Sequence, residues 1–345
     1  MPTLTPIFVD NGKYKVLARA AVVIAPLVLL ASLSGDVVWL RAGIVAISSF
    51  IALERANLAP AGVALHGVAM AAGFMVLLYS LVIPPLFVLC CVIMAAASIL
   101  LTTQGARLRV IGNFTFIPAL YLACELGENT ARKEMIAHGL AFLPYVAVAL
   151  IPTVILSGII HFLERDPSRH QLRQFGQLRR PIDLGAPKPW KASMLAVALS
   201  VALAASLVEW LHLGNGQWVI WSAASVVTGD AGSARLKLRD RFVGVIAGVP
   251  LGLAIGHFVP HNAFAYGVVS ILAIMSLVGV GRYVIEFGIR CACCALAILV
   301  TGQTSAIAGE RVINVLMGGI IGIAFFLGVH AAENAVHARR RPKIQ

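Results

Sequence analysis

The chain has 345 residues, of which 59% are hydrophobic and 12% are charged, and its mean hydropathy is +0.90. Soluble domains carry about 25% charged residues, so this composition excludes an ordinary cytosolic fold. The formal net charge is +12, and only the positions of the basic residues can decide whether it indicates nucleic-acid binding or membrane topology.

Apolar stretches of about 20 residues recur along the whole chain, and each is long enough to cross a bilayer core of about 30 Å. Because these stretches are continuous rather than alternating, they predict helices instead of the strands of a barrel. We therefore expect an all-α polytopic membrane protein with about 12 transmembrane helices. The predicted spans are 16–33, 37–54, 62–82, 84–103, 108–126, 136–160, 191–212, 216–229, 240–259, 263–280, 283–301 and 308–332.

The basic residues are distributed unevenly between the loops of this topology. Of the 27 Lys and Arg residues, 22 fall in segments that would share one side of the membrane, and four fall on the other side. Loops rich in Lys and Arg remain in the cytoplasm. We therefore expect both termini to be cytoplasmic, and the basic excess indicates topology rather than nucleic-acid binding.

A basic linker at 162–190 divides the chain into two halves, and its four prolines argue against one continuous helix. Residues 1–161 are predicted to form a first six-helix membrane repeat, and residues 191–335 a second. Residues 336–345 form a basic cytoplasmic tail. Because each half begins on the cytoplasmic side, we expect parallel repeats related by an axis along the membrane normal.

Aromatic and basic residues occur together near the outer ends of several spans. Trp39 and Arg41 open span 2, and Trp218 and Trp221 occupy the matching place in span 8. Tryptophans at these positions either stack on an aromatic substrate or anchor the helix at the membrane interface. Arg41, like Arg311 at the start of span 12, either attracts anions or pairs with lipid headgroups.

Small residues in the second half indicate close helix packing. Gly244 and Gly248 are four residues apart in span 9, and Gly318 follows Asn314 by one turn in span 12. Small residues at this spacing let helices approach closely. Asn314 itself lies one turn deeper than Arg311, and we include its amide in the predicted anion path.

Span 11 holds two charges in the apolar stretch YVIEFGIRCACCALAILV. Glu286 and Arg290 are four residues apart, so they share a helix face. Each charge near the bilayer centre costs at least about 2.5 kcal/mol. The pair is therefore either a structural ion pair at a helix interface or part of an anion or proton path, and these hypotheses are compatible. The cysteines that follow have no His or acidic residue nearby to complete a metal site.

The second half, over about residues 188–335, resembles the membrane domain of the fusaric acid resistance and aromatic acid exporter family. That domain has a tryptophan-bearing span, an Arg-x-x-Gly-Thr-x-x-Gly span, an Arg-Tyr pair and an Arg-x-x-Asp-Thr-x-x-x-Gly span. This chain departs from the family's threonines and aspartate with Val245, Asn314 and Val315. The matching residues are Trp218, Trp221, Arg241, Gly244, Gly248, Arg282, Tyr283, Arg311 and Gly318.

This resemblance implies a bacterial inner-membrane exporter of small organic anions, especially aromatic carboxylates. It also implies similarity to the plant aluminium-activated malate channels, which form dimers. Long family members carry a large cytoplasmic domain between the halves and work with a periplasmic adaptor. Here a short linker stands in that place, so the resemblance does not carry the adaptor over.

From these observations we expect a secondary transporter that exports small organic anions, with a proton as one candidate coupling ion. We expect no enzymatic activity, cofactor or metal. Arg290, Arg41 and Arg311 would attract the anion, and Glu286 would hold Arg290 in place. Two alternatives stay open: an anion channel with the same charges and a non-transporting membrane subunit. Flux of the anion against its gradient would distinguish a transporter from a channel.

Overall fold

The computed structural model describes residues 11–163, 176–186, 190–227, 231–278 and 281–340. Within these residues there are twelve α-helices, and each predicted span overlaps one of them. The helices are α1 (Asn11–Ser34), α2 (Val38–Ala56), α3 (Pro60–Ser80), α4 (Pro84–Leu100), α5 (Arg109–Glu128), α6 (Met135–Leu163), α7 (Lys191–Leu211), α8 (Gln217–Val226), α9 (Ala231–Gly256), α10 (Ala263–Met275), α11 (Tyr283–Val300) and α12 (Ser305–Arg340).

Prolines and left-handed residues set several of the helix ends. Pro60 and Pro84 occupy the first positions of α3 and α4, where a backbone N–H is not needed. Asn57 after α2 and His212 after α7 adopt the left-handed conformation that ends a helix. The short connections that result bring α3 back beside α2 and α8 back beside α7.

The outer surface of the bundle is apolar. Within the part of the chain that the structure describes, eight helical segments are long and apolar enough to cross a membrane. Val22, Val68 and Ile313 point outward from three of them and expose 64%, 63% and 64% of their surface. Such a surface suits lipid and not water, so the protein is a polytopic helical membrane protein. The ten residues of α8 extend about 15 Å, which is too short to cross alone.

The helices pack in the same order in the two halves. In the first half α1 packs on α2, α2 packs on α6, and α3 packs on both α5 and α6. In the second half α7 packs on α8, α8 packs on α12, and α9 packs on both α11 and α12. The halves meet where α4 contacts α7 and where α10 contacts α1 and α2. A site between the halves therefore receives residues from both.

The described part of the linker, residues 176–186, is hydrogen-bonded to one end of the bundle. Leu58, between α2 and α3, forms an isolated antiparallel bridge with Arg179. The backbone N–H of Arg107, before α5, donates to the Leu184 carbonyl at 3.0 Å. Ser157, near the end of α6, donates to the Leu58 carbonyl at 2.9 Å. These segments therefore share one face of the bundle, which we call the linker face.

Other connections share the opposite face. The Tyr145 hydroxyl, near the start of α6, donates to Asp36 Oδ2 between α1 and α2 at 2.7 Å. The Asn215 N–H, between α7 and α8, donates to Glu128 Oε1 at the end of α5 at 2.9 Å. Connections thus alternate between the two faces along the chain, as antiparallel neighbours require.

Glycines let α9 and α11 approach each other closely. A Cβ atom added at Gly244 would lie 2.9 Å from a ring carbon of Phe287, and one added at Gly248 would overlap the carbonyl oxygen of Gly288. Neither position can accept a side chain unless the helices separate. On α12, an added Cβ at Gly318 would overlap the carbonyl oxygen of Val219 on α8.

A leucine at Gly248 should therefore force α9 away from α11. We expect Gly248→Leu to lower the free energy of unfolding by about 3 kcal/mol, at the upper end of the usual cost of overpacking. Thermal melting of the detergent-solubilised protein measures this. Gly158→Leu in α6 is the control, because no atom lies within 4 Å of its added Cβ. Equal melting temperatures for the two variants would show that this contact is not needed.

Candidate functional site

A cavity of about 140 Å³ lies between the two halves of the bundle. Helices α2 and α5 of the first half form one wall, and α8, α10 and α11 of the second half form the other. Among the described residues that line it there is no carboxylate, so its walls are positively charged. The basic and aromatic residues of the lining are Arg41, Tyr121, Trp218, Trp221, Tyr266 and Arg290.

Arg290 reaches this central cavity from the middle of α11 and is only 9% exposed. Ser276, directly after α10, holds its guanidinium group. Arg290 Nε donates to Ser276 Oγ and Nη2 donates to the Ser276 carbonyl, both at 3.2 Å. The ring of Phe287 lies 6.0 Å from the guanidinium carbon. Within the described residues these partners are neutral, so the positive charge of Arg290 remains available to an anion.

Arg41 connects the central cavity with a larger one. Its side chain also lines a cavity of about 380 Å³ near the face opposite the linker, together with Glu125, His138 and Tyr145. The Nε of Arg41 is buried and has no hydrogen-bond partner. A buried donor without a partner costs about 1–3 kcal/mol. An anion bound beside Arg41 would remove that cost.

Trp218 and Trp221 form a stacked pair on α8, with ring centroids 5.1 Å apart and an interplanar angle of 23°. Arg311 lies over the ring of Trp218, and its guanidinium carbon is 3.5 Å from the ring centroid. Arg311 is 3% exposed, and its Nε and Nη2 atoms have no hydrogen-bond partner. Arg311 therefore stands behind the cavity wall and holds the indole of Trp218 in place through a cation–π contact.

The predicted ion pair between Glu286 and Arg290 is wrong. Glu286 Oε1 accepts a hydrogen bond from the Gly281 N–H at 2.8 Å, whereas Arg290 binds Ser276. No ion pair joins the two side chains in the part of the chain that the structure describes. The physical reason is that Glu286 lies in the first turn of α11. There a carboxylate satisfies a free backbone N–H and interacts favourably with the helix N-terminus.

Two other predicted site residues lie outside the lining of the central cavity. Asn314 is 4% exposed, and its Nδ2 donates to the carbonyls of Gly214 and Asn215 at 2.9 and 3.2 Å. It thereby fixes the connection from which α8 begins. Trp39 packs against Tyr145, with ring centroids 4.5 Å apart, and so lies beside the larger cavity and away from Trp218.

Three residues of the central site were not predicted from the sequence. Tyr121 lies with its ring centroid 5.9 Å from that of Trp218, Tyr266 lines the same cavity from α10, and Ser276 holds Arg290. Each is a single polar or aromatic residue in a largely apolar stretch, and no motif marks it as part of a site. Only the packing of helices that are distant in sequence brings these residues together.

Residues 203–325 match a protein family described as fusaric acid resistance protein-like. The match runs from α7 into α12 and includes Trp218, Trp221, Arg290 and Arg311, whereas Arg41 and Tyr121 lie outside it. Neither the curated proteins nor the solved structures give a significant match to the chain.

The contacts of Asn314 explain why an amide suits this position better than aspartate. We expect Asn314→Asp to lower the free energy of unfolding by about 1–3 kcal/mol, because a carboxylate cannot donate to the two carbonyls. Amide hydrogen exchange of residues 212–217 should also become faster. Asn129→Asp is the control, since the exposed amide of Asn129, directly after α5, donates to the nearby Glu125 carbonyl at the end of that helix. Similar melting of the two variants would contradict this role for Asn314.

Proposed function

Since residues 203–325 match the fusaric acid resistance protein-like family, we propose that this membrane protein is a secondary transporter that exports small organic anions. Aromatic carboxylates are the proposed substrates. The central cavity is the proposed binding site, with Arg41 and Arg290 as anion ligands and Trp218, Trp221, Tyr121 and Tyr266 as ring contacts.

The observation that carries this proposal is the chemical character of the cavity. Two arginines reach it, and its described lining contains four aromatic rings and no carboxylate. An arginine fork pairs well with a carboxylate, and aromatic side chains pack well on a planar ring. The volume of about 140 Å³ also fits a single ring, since a cavity of about 150 Å³ binds benzene.

The arrangement of the cations suits a substrate that must also leave. Arg290 is held by Ser276 deep in α11, and Arg41 faces both the central cavity and the larger cavity beyond it. Permeant ions need attraction that is strong enough for binding and weak enough for release. Passing the carboxylate from Arg290 to Arg41 meets both needs. Glu125 and His138 in the larger cavity are candidate proton acceptors for coupling export to a proton gradient.

The proposed topology places both termini and the linker in the cytoplasm of a bacterium, with the protein in the inner membrane. The uneven distribution of Lys and Arg supports it, as does the linker face, which gathers the connections with the most basic residues. The common packing order of α1–α6 and α7–α12 supports two repeats. We extend the proposal to a homodimer.

The test of the site is export of benzoate from liposomes that contain the purified protein. We expect Arg290→Gln and Arg41→Gln each to reduce the rate about tenfold or more, because each removes a charged hydrogen bond worth about 1.5–3 kcal/mol. Arg239→Gln is the control, since that exposed arginine pairs with Asp240 on the surface.

Glu286→Gln should also retain export, because its carboxylate binds the Gly281 N–H and not the cavity. Normal export by a folded Arg290→Gln protein would reject the proposed site. Accumulation against a benzoate gradient, driven by a pH gradient, distinguishes a carrier from a channel.

Cysteine labelling tests the topology. In a background without the six native cysteines, a membrane-impermeant thiol reagent added to intact cells should not label Gln177→Cys in the linker, and it should label Lys133→Cys between α5 and α6. The expectation follows from the opposite faces on which these exposed residues lie. Labelling of Gln177→Cys from outside would invert the proposed orientation.

A further inference from the structure

A second group of cations lies outside the central cavity, near the linker face. Arg109 begins α5, and Lys237 and Arg241 lie in the first turns of α9. None of these three residues lines the central cavity. The contacts of their side chains place all three where α5, α8, α9 and α11 meet.

Arg241 is the centre of this group and is 2% exposed. Its Nη1 donates to Ser225 Oγ at the end of α8 at 2.8 Å and to the Tyr283 hydroxyl at the start of α11 at 3.2 Å. The guanidinium carbon lies 4.5 Å from the ring centroid of Phe287. Its Nε is buried and has no hydrogen-bond partner among the residues that the structure describes. A fully buried guanidinium group thus keeps one donor without an acceptor.

Two further cations approach Arg241 from neighbouring positions. The Lys237 ammonium lies 5.7 Å from the ring centroid of Tyr283, one helical turn before Arg241. Arg109 donates from Nη2 to the carbonyl of Val227, two residues after Ser225. Positive charges repel one another, and the repulsion is strong where water is displaced. The fold nevertheless holds three of them together.

Carboxylates of the described residues do not balance this charge. Asp240, the nearest acidic residue on α9, pairs with the exposed Arg239 at 2.9 Å. Glu286 on α11 binds the Gly281 N–H. On the side of α12 the contact with this part of α9 is apolar, between Gly319 and Leu238. The groups that face Lys237 are therefore Arg109, Arg241 and Tyr283.

We propose that Arg109, Lys237 and Arg241 form a second anion-binding site, which takes a small carboxylate before it reaches the central cavity. This inference rests on the proposed export function. The same Phe287 ring lies 4.5 Å from Arg241 and 6.0 Å from Arg290, so the two sites are neighbours that share one side chain. A carboxylate released by Arg241 has Arg290 as its next cation.

Lys237 makes this second site sensitive to pH. It lies outside the predicted span 240–259, and burial, together with the charges of Arg109 and Arg241, lowers its pKa to about 7. Lys237 is therefore charged below pH 7 and loses its charge as the pH rises through 7. A bound carboxylate favours the charged form and raises this pKa. Carboxylate binding should therefore take up protons near neutral pH.

Calorimetric titration of sodium benzoate into the full-length protein in detergent tests the second site. The protein carries Arg41→Gln and Arg290→Gln, which remove both anion ligands of the central cavity. Benzoate is ionised throughout the range used. We expect affinity to be about tenfold weaker at pH 8 than at pH 6, following the charged fraction of Lys237. Two buffers with different ionisation enthalpies should reveal uptake of about half a proton per benzoate at pH 7.

Three variants in the same background identify the residues. Lys237→Arg should bind benzoate with no pH dependence and no proton uptake, since its charge is permanent. Arg241→Gln should lose binding. Arg239→Gln, two residues away but exposed, should behave like the background protein.

Equal affinity in Arg241→Gln, Lys237→Met and the background would overturn the second site. Asp230 precedes α9 and lies outside the described residues. If benzoate bound only to the Asp230→Asn variant, the Asp230 carboxylate would be the counter-ion of the three cations, and the second site would be overturned. Binding without export in liposomes would refute the proposed function and leave the second site standing. Export without this binding would refute the second site and leave the proposed function standing.

Discussion

The close contact between α9 and α11 is the constraint on which both cationic sites depend. Gly244 and Gly248 bring the two backbones together, and the contact brings Phe287 close to both Arg241 and Arg290. A side chain at either glycine would shift α11 and move Arg290 away from Ser276. The packing of small residues and the placement of charge are therefore one property of this helix pair.

The buried arginines are stabilised without losing their charge. A cation transferred from water into a protein interior is costly unless it finds partners. Arg290 finds the hydroxyl and carbonyl of Ser276, and Arg311 finds the face of Trp218. Such neutral partners lower the cost of burial, but unlike a carboxylate they do not cancel the positive potential. This distinction separates a structural ion pair from a site that attracts a soluble anion.

Hydropathy and charge placement predict the helices of this protein well, because each helix must satisfy the bilayer along its own length. They also indicate which glycines lie at contacts. They do not predict which groups on other segments each side chain binds. The four-residue spacing of Glu286 and Arg290 correctly predicts a shared helix, yet each side chain binds a group outside that helix.

The central site shows the same limit. Arg41, Arg290, Trp218 and Trp221 could be selected because charge and tryptophan are rare in apolar spans. Tyr121 could not, since only the packing of the two halves brings it beside Trp218. Asn314 illustrates the opposite error. Its depth predicts a place in the anion path, but its amide donates to backbone carbonyls of the connection between α7 and α8 and does not line the cavity.

The hydrogen bonds of the linker also connect separate helices of the first half. Backbone bonds join residues 178–184 to the ends of α2, α3 and α5, so this part of the linker is fixed to the first half at the linker face. The Arg109 side chain adds α8 to this group, because it donates to the Val227 carbonyl at the end of that helix. Residues 178–184 and Arg109 therefore hold helix ends from both halves of the chain together at one face of the bundle.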